Sequence, residues 1–244
     1  MTEPGAGPLR PGSARHLPLL QPVLEVGPLD PLPPWPVADV GPWLALSGAL
    51  SAAEVGAAVA RIAAYNHLDD RTVWPGDDDP LTAVLPVAAA GPEPGALVVP
   101  GGLRLSDPAT QARVDPGCCS DLNDWREWYG IPAGASPDLG HDPDPWVELR
   151  PGGTVRVWAD ERGGSWVNVP VDELTRLVDG VQADLAGFLR ALRSWAEDVV
   201  PAGADALVAS LDRHLRVSGP GAQGATVSRP AVPGGAVPAR HVLD

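Results

Sequence analysis

Nine apolar residues between Leu174 and Trp195 recur mostly in steps of three and four: Leu174, Leu177, Val178, Val181, Leu185, Phe188, Leu189, Leu192 and Trp195. Such steps keep side chains on one stripe of a 3.6-residue helix, so the spacing predicts a long amphipathic helix with one buried face. Leu207, Val208, Leu211 and Leu215 repeat the pattern and predict a last helix over 204–215. Upstream, Ser51 followed by Glu54 is a capping box, and Val55, Val59 and Ile62 then carry a helix toward Asn66. Between these helical patterns the period drops to two. Trp146–Leu149, Thr154–Trp158 and Ser165–Val169 are strand-like runs separated by Pro151-Gly152-Gly153 and Gly163-Gly164, the signature of an antiparallel meander. Leu97–Val99 and Leu103–Leu105 flank Pro100-Gly101-Gly102 and read as two further short strands. Asp121–Tyr129 places Leu122, Trp125, Trp128 and Tyr129 on one face of a short helix capped by Ser120.

The ends of the chain lack either period. Eleven prolines lie between Met1 and Pro42, so residues 1–40 are expected to be an irregular Pro-rich extension. Residues 218–244, rich in Gly, Pro, Ala and Val, are expected to be a flexible tail. The foldable part is then 41–217, a single domain expected to fold alone. Its fold class is α+β, with helices packed on one face of an antiparallel sheet.

Composition narrows the chemistry. The 244 residues carry 17 basic and 31 acidic side chains, a net charge of −14, and every basic residue is arginine. With no lysine there is no Walker A loop, no protein-kinase nucleotide lysine and no Schiff-base amine. The charge also disfavours nucleic acid, whose phosphates need cationic partners. No apolar run is long enough to span a membrane, and the only cysteines, Cys118 and Cys119, form no disulfide framework. A cytoplasmic protein without cofactor is expected.

Cys118 and Cys119 precede a helix start, where the helix dipole lowers a thiol pKa. With His141 and Asp142 as base and orienting carboxylate, they form the one catalytic arrangement worth naming, a Cys-dependent or metal-assisted enzyme. Small buried cysteines are more commonly core fillers. His141, Asp142 and Asp144 alternate with prolines in no ligand spacing that defines a metal site, so no metal is expected. Gly219, Gly221 and Gly224 spell a dinucleotide fingerprint in a Pro-rich tail, where neither the strand before it nor the helix after it exists.

Nine of the twelve aromatic residues are tryptophan. Trp125, Trp128, Trp158 and Trp195 fall on faces expected to be buried. Trp74 lies in the loop 69–80, which holds five aspartates against one arginine, so Trp74 with Asp77, Asp78 and Asp79 offers an aromatic anchor ringed by negative charge. That is the expected contact for a basic protein partner, with the sheet of 146–169 the next candidate.

From Leu139 to Trp195 the chain also resembles the second half of the SMI1/KNR4 (SUKH) family. The residues that carry the likeness are Gly153, Val155 and Trp158 in a Gly-x-Val-x-x-Trp strand, then Asp184, Leu185, Phe188, Leu189 and Leu192 in the following helix. Gly101–Trp128 resembles segments of uncharacterised proteins from high-GC bacteria. The SUKH resemblance implies a non-enzymatic protein-binding module, in many members an immunity protein that neutralises a toxin, with no catalytic residues to carry over.

Overall fold

The computed structural model describes residues 17–30, 32–67, 79–161 and 163–219. Among them are seven strands and five helices of an α+β fold built around two antiparallel sheets. The first sheet joins β1 (Leu19–Glu25), β2 (Trp43–Ala45), β3 (Gly101–Asp107) and β4 (Ala112–Val114) in the order β2-β1-β3-β4. The second is the meander β5 (Trp146–Arg150), β6 (Thr154–Trp158) and β7 (Trp166–Pro170). Around them pack α1 (Ala52–Tyr65), α2 (Pro80–Ala88), the 3₁₀ helix η1 (Leu122–Ala133), α3 (Val171–Val199) and α4 (Ala204–Leu215).

The largest correction is at the N-terminus. Residues 19–25, expected to be irregular, form β1, an inner strand between β2 and β3. Leu20, Val23, Leu24 and Val26 are buried. A proline is tolerated in this inner strand because β2 reaches only Val23–Glu25. The Pro22 carbonyl faces that side and accepts from the Leu46 N–H, so its ring nitrogen faces the stretch that β2 leaves open. Further on, Trp35 is buried against Trp195 edge to face at 5.4 Å, and its Nε1 donates to the Gly56 carbonyl at 2.9 Å. The domain therefore does not begin at residue 41.

Local chemistry sets the helices. Ser51 and Glu54 form the capping box of α1, each side chain meeting the other residue's backbone N–H. α2 has no counterpart in the sequence reading. It starts at Pro80 with Asp79 as its cap, and Pro86 lies inside it, where no N–H exists to reach back one turn. Ser210 of α4 donates to the Val87 carbonyl at 2.6 Å and ties α2 down. η1 is capped by Asp121, not by Ser120, whose hydroxyl turns back to the Gly117 carbonyl. The predicted strand 97–99 is not formed; the hairpin is β3–β4 and turns at 108–111 instead.

α3 buries Leu174, Leu177, Val178, Val181, Leu185, Phe188, Leu189, Leu192 and Trp195, the full predicted stripe. It touches β1, α1, α4, η1 and β7, and so joins both sheets in one core. Beside the first half of α3, η1 is fixed to the terminus of α4: Trp125 Nε1 donates to the Leu215 carbonyl at 2.8 Å, and Arg126 donates to the Arg216 carbonyl.

Candidate functional site

Period-two alternation divides the meander into two faces. Val155, Val157, Val167 and Val169 point into the core and are buried. On the outer face the register places Trp146 opposite Trp158 and Trp158 opposite Trp166, so the three tryptophans form one row across all three strands. Trp158, expected inside, is thus on the solvent side and only half buried. Trp146 and Trp158 stack with centroids 5.8 Å apart and planes within 6°. Trp166 stands edge-on to Trp158 at 6.3 Å.

The next row is Glu148, Arg156 and Asn168. The Arg156 guanidinium lies over the Trp166 ring at 3.8 Å and beside Trp158 at 5.2 Å, held by a 2.9 Å bond from its Nε to Asn168. Glu148 accepts from Trp158 Nε1 at 3.1 Å and pairs with Arg150 at 3.3 Å. Trp146 and Trp166 remain 39% and 40% exposed, and Leu149 on the terminal strand β5 remains 48% exposed. The face thus presents a row of aromatic rings with a cation already held against them by stacking and by Asn168.

A second cluster forms where the loop 115–120 meets the loop 138–145. Cys118 and His141 exchange two backbone hydrogen bonds as an isolated antiparallel bridge, and Gly117 N–H donates to the Leu139 carbonyl. The approach requires glycine at both crossing points. A Cβ on Gly117 would sit 2.4 Å from the Pro143 carbonyl oxygen, and one on Gly140 would sit 2.6 Å from the Cys118 oxygen. Cys119 adopts φ +62, a left-handed conformation. Its sulfur lies 3.4 Å from that of Cys118. The ligand atoms of Cys118, Cys119 and His141 all lie within 4.8 Å of one another, and all three residues are exposed.

The structure thus brings together three of the four residues named as the catalytic alternative. Asp142 is exposed, and among the described residues no hydrogen bond joins its carboxylate to the His141 ring. The Cys118 thiol is pushed up, not down, first by its hydrogen bond to Cys119 and next by the charge of that neighbour. That is opposite to what a nucleophile needs. An open groove of about 470 Å³ between Ser106, Arg113, Asp115 and Ser165, and a narrow slot beside Trp125 and Trp128, are lined by none of the three.

Of the expected partner contact, Trp74, Asp77 and Asp78 lie outside the described residues. Asp79 is described, and its carboxylate accepts from the Leu81 and Thr82 N–H groups and from the Thr82 hydroxyl as the α2 cap. A change there acts on a helix terminus. Among the described residues no helix is long and apolar enough to cross a membrane. No family model, curated protein or solved structure matches this chain.

Proposed function

We propose that the protein is a non-enzymatic interaction module that grips a basic protein partner through the outer face of β5–β7. The observation that carries this reading is the register row Trp146, Trp158 and Trp166 with Arg156 stacked upon it. Cross-strand aromatic pairs stabilise a sheet by only about 0.2–1 kcal/mol each, and a solvent-facing sheet needs no tryptophan for that. Buried at an interface, the same side chains are the type that dominates binding energy. The net charge of −14 favours a cationic partner and speeds its encounter. The immunity-type role implied by the SUKH resemblance is one form of this reading, placed in the cytoplasm with a toxin as partner.

The test is affinity capture from the source cells, followed by affinity measurement with the recovered partner. Trp146→Ala with Trp166→Ala is expected to weaken binding by about 30-fold or more, through faster dissociation. Raising salt is expected to slow association. Partner affinity indifferent to both changes would remove the tryptophan face as the interface. Circular dichroism of the double variant separates lost contact from lost fold.

A further inference from the structure

We propose that Cys118, Cys119 and His141 form a zinc-binding site in which the protein supplies two thiolate sulfurs and one imidazole nitrogen. Adjacent residues in an extended chain point to opposite sides, so two neighbouring cysteines do not ordinarily share a ligand. Here the left-handed Cys119 turns its sulfur back beside that of Cys118, at 3.4 Å. The two-way bridge between Cys118 and His141 brings the imidazole to the same place from 23 positions away in sequence. Gly117 and Gly140 permit that approach, since a side chain on either would collide with the opposing backbone.

The donor set and its dimensions suit a thiophilic d¹⁰ ion. Tetrahedral Zn²⁺ with Zn–S near 2.3 Å places two sulfurs about 3.8 Å apart. The observed pair needs to open by only a few tenths of an ångström, and the imidazole nitrogen, within 4.8 Å of the sulfurs, needs to approach by at most about 1 Å. Hard ions such as Mg²⁺ and Ca²⁺ prefer oxygen and have no reason to settle on sulfur. Two thiolate sulfurs held as close as 3.4 Å would repel each other. A dication between them replaces that repulsion with attraction, and binding one Zn²⁺ releases two protons, one from each thiol. Three protein donors leave the fourth position to water, and the exposure of all three residues makes the ion exchangeable with solution.

The experiment uses the full chain, free of any affinity tag, reduced and with two free thiols counted before titration. Zn²⁺ added with a chromophoric chelator is expected to be withdrawn to one equivalent, with about two protons released per ion in weak buffer. Co²⁺ is expected to give the intense visible bands of tetrahedral coordination and a thiolate-to-metal charge-transfer band in the near ultraviolet. Cys118→Ser, Cys119→Ser and His141→Gln are each expected to weaken binding by about 10-fold or more, and the double cysteine variant to abolish the charge-transfer band. Failure to withdraw zinc, an octahedral cobalt spectrum, or equal affinity in the double variant would overturn the proposal. The cobalt spectrum of the unaltered chain decides the matter even if a variant misfolds.

Discussion

Tyr129 shows what one side chain contributes between elements. Its hydroxyl donates to Asp179 at 2.7 Å, joining η1 to α3, and its pKa is pushed up to about 12, first by burial and next by the Asp179 carboxylate. A raised acid binds its proton more tightly in the folded chain than in the unfolded one, where a phenol titrates near 10. The stability from neutral Tyr129 is therefore complete below about pH 10 and is lost as pH rises toward about 12. With no lysine in the chain, no ammonium group titrates across that window. Denaturant unfolding at stepped alkaline pH is expected to show stability falling from pH 10 upward, and Tyr129→Phe to flatten part of that fall. An unchanged slope in the variant would remove Tyr129 as its source. Every other ionisable group is common to both proteins and so cancels in the comparison.

At the scale of elements, Ser210 is the hydroxyl that holds α2 against α4. It is fully buried and donates to the Val87 carbonyl, whose helix is already short one bond at Pro86. Ser210→Ala takes away the short hydroxyl bond and leaves that carbonyl only backbone donors at the helix end, the Ala90 N–H at 3.4 Å among them, and is expected to cost about 1 kcal/mol in denaturant unfolding. Ser210→Val adds a buried methyl group in a packed site and is expected to cost more. An alanine variant as stable as the parent would show that water replaces the hydroxyl.

Which elements are legible in the sequence follows from where their information lies. α3, α4, α1 and the β5–β7 meander carry their own period, caps and turn glycines, so local pattern suffices to find them. α2 escapes because Pro86 and nine residues hide its period. β1 escapes because Pro18 and Pro22 mask its alternation, and its partner β3 lies some eighty residues away. The tryptophan row depends on register, which the turns fix but the side-chain pattern does not. Alternation with its valine neighbours leaves open which face Trp158 takes until the core chooses Val157. The Cys–His cluster rests on a positive φ at Cys119 and a bridge between residues 23 positions apart. Neither is written in residue type, so the cysteines and the histidine are legible as candidates but their convergence is not.

Among the described residues, both sheets and the five helices share one core, and Leu20, Leu24, Val26 and Trp35 of the Pro-rich N-terminal stretch are part of it. Removing residues 1–40 would take away Leu20, Val23, Leu24, Val26 and Trp35, every one of them buried. At roughly 1.5–3 kcal/mol for each buried apolar side chain, the loss is on the order of 10 kcal/mol. Domains of this kind have a net stability of only about 5–15 kcal/mol. The deletion also strips β3 and β2 of their shared partner, leaving two unpaired strand edges, and opens the floor under Trp195. A fragment beginning at Gly41 is therefore expected to show no cooperative thermal transition, to bind hydrophobic dyes and to self-associate, whereas the full chain melts in one step. The measurement is a pair of melts followed by near-ultraviolet circular dichroism, which reads the packing of Trp125, Trp128 and Trp195 directly. A Gly41 fragment that melts cooperatively within a few degrees of the full chain would mean that β1 is laid onto a core already complete without it.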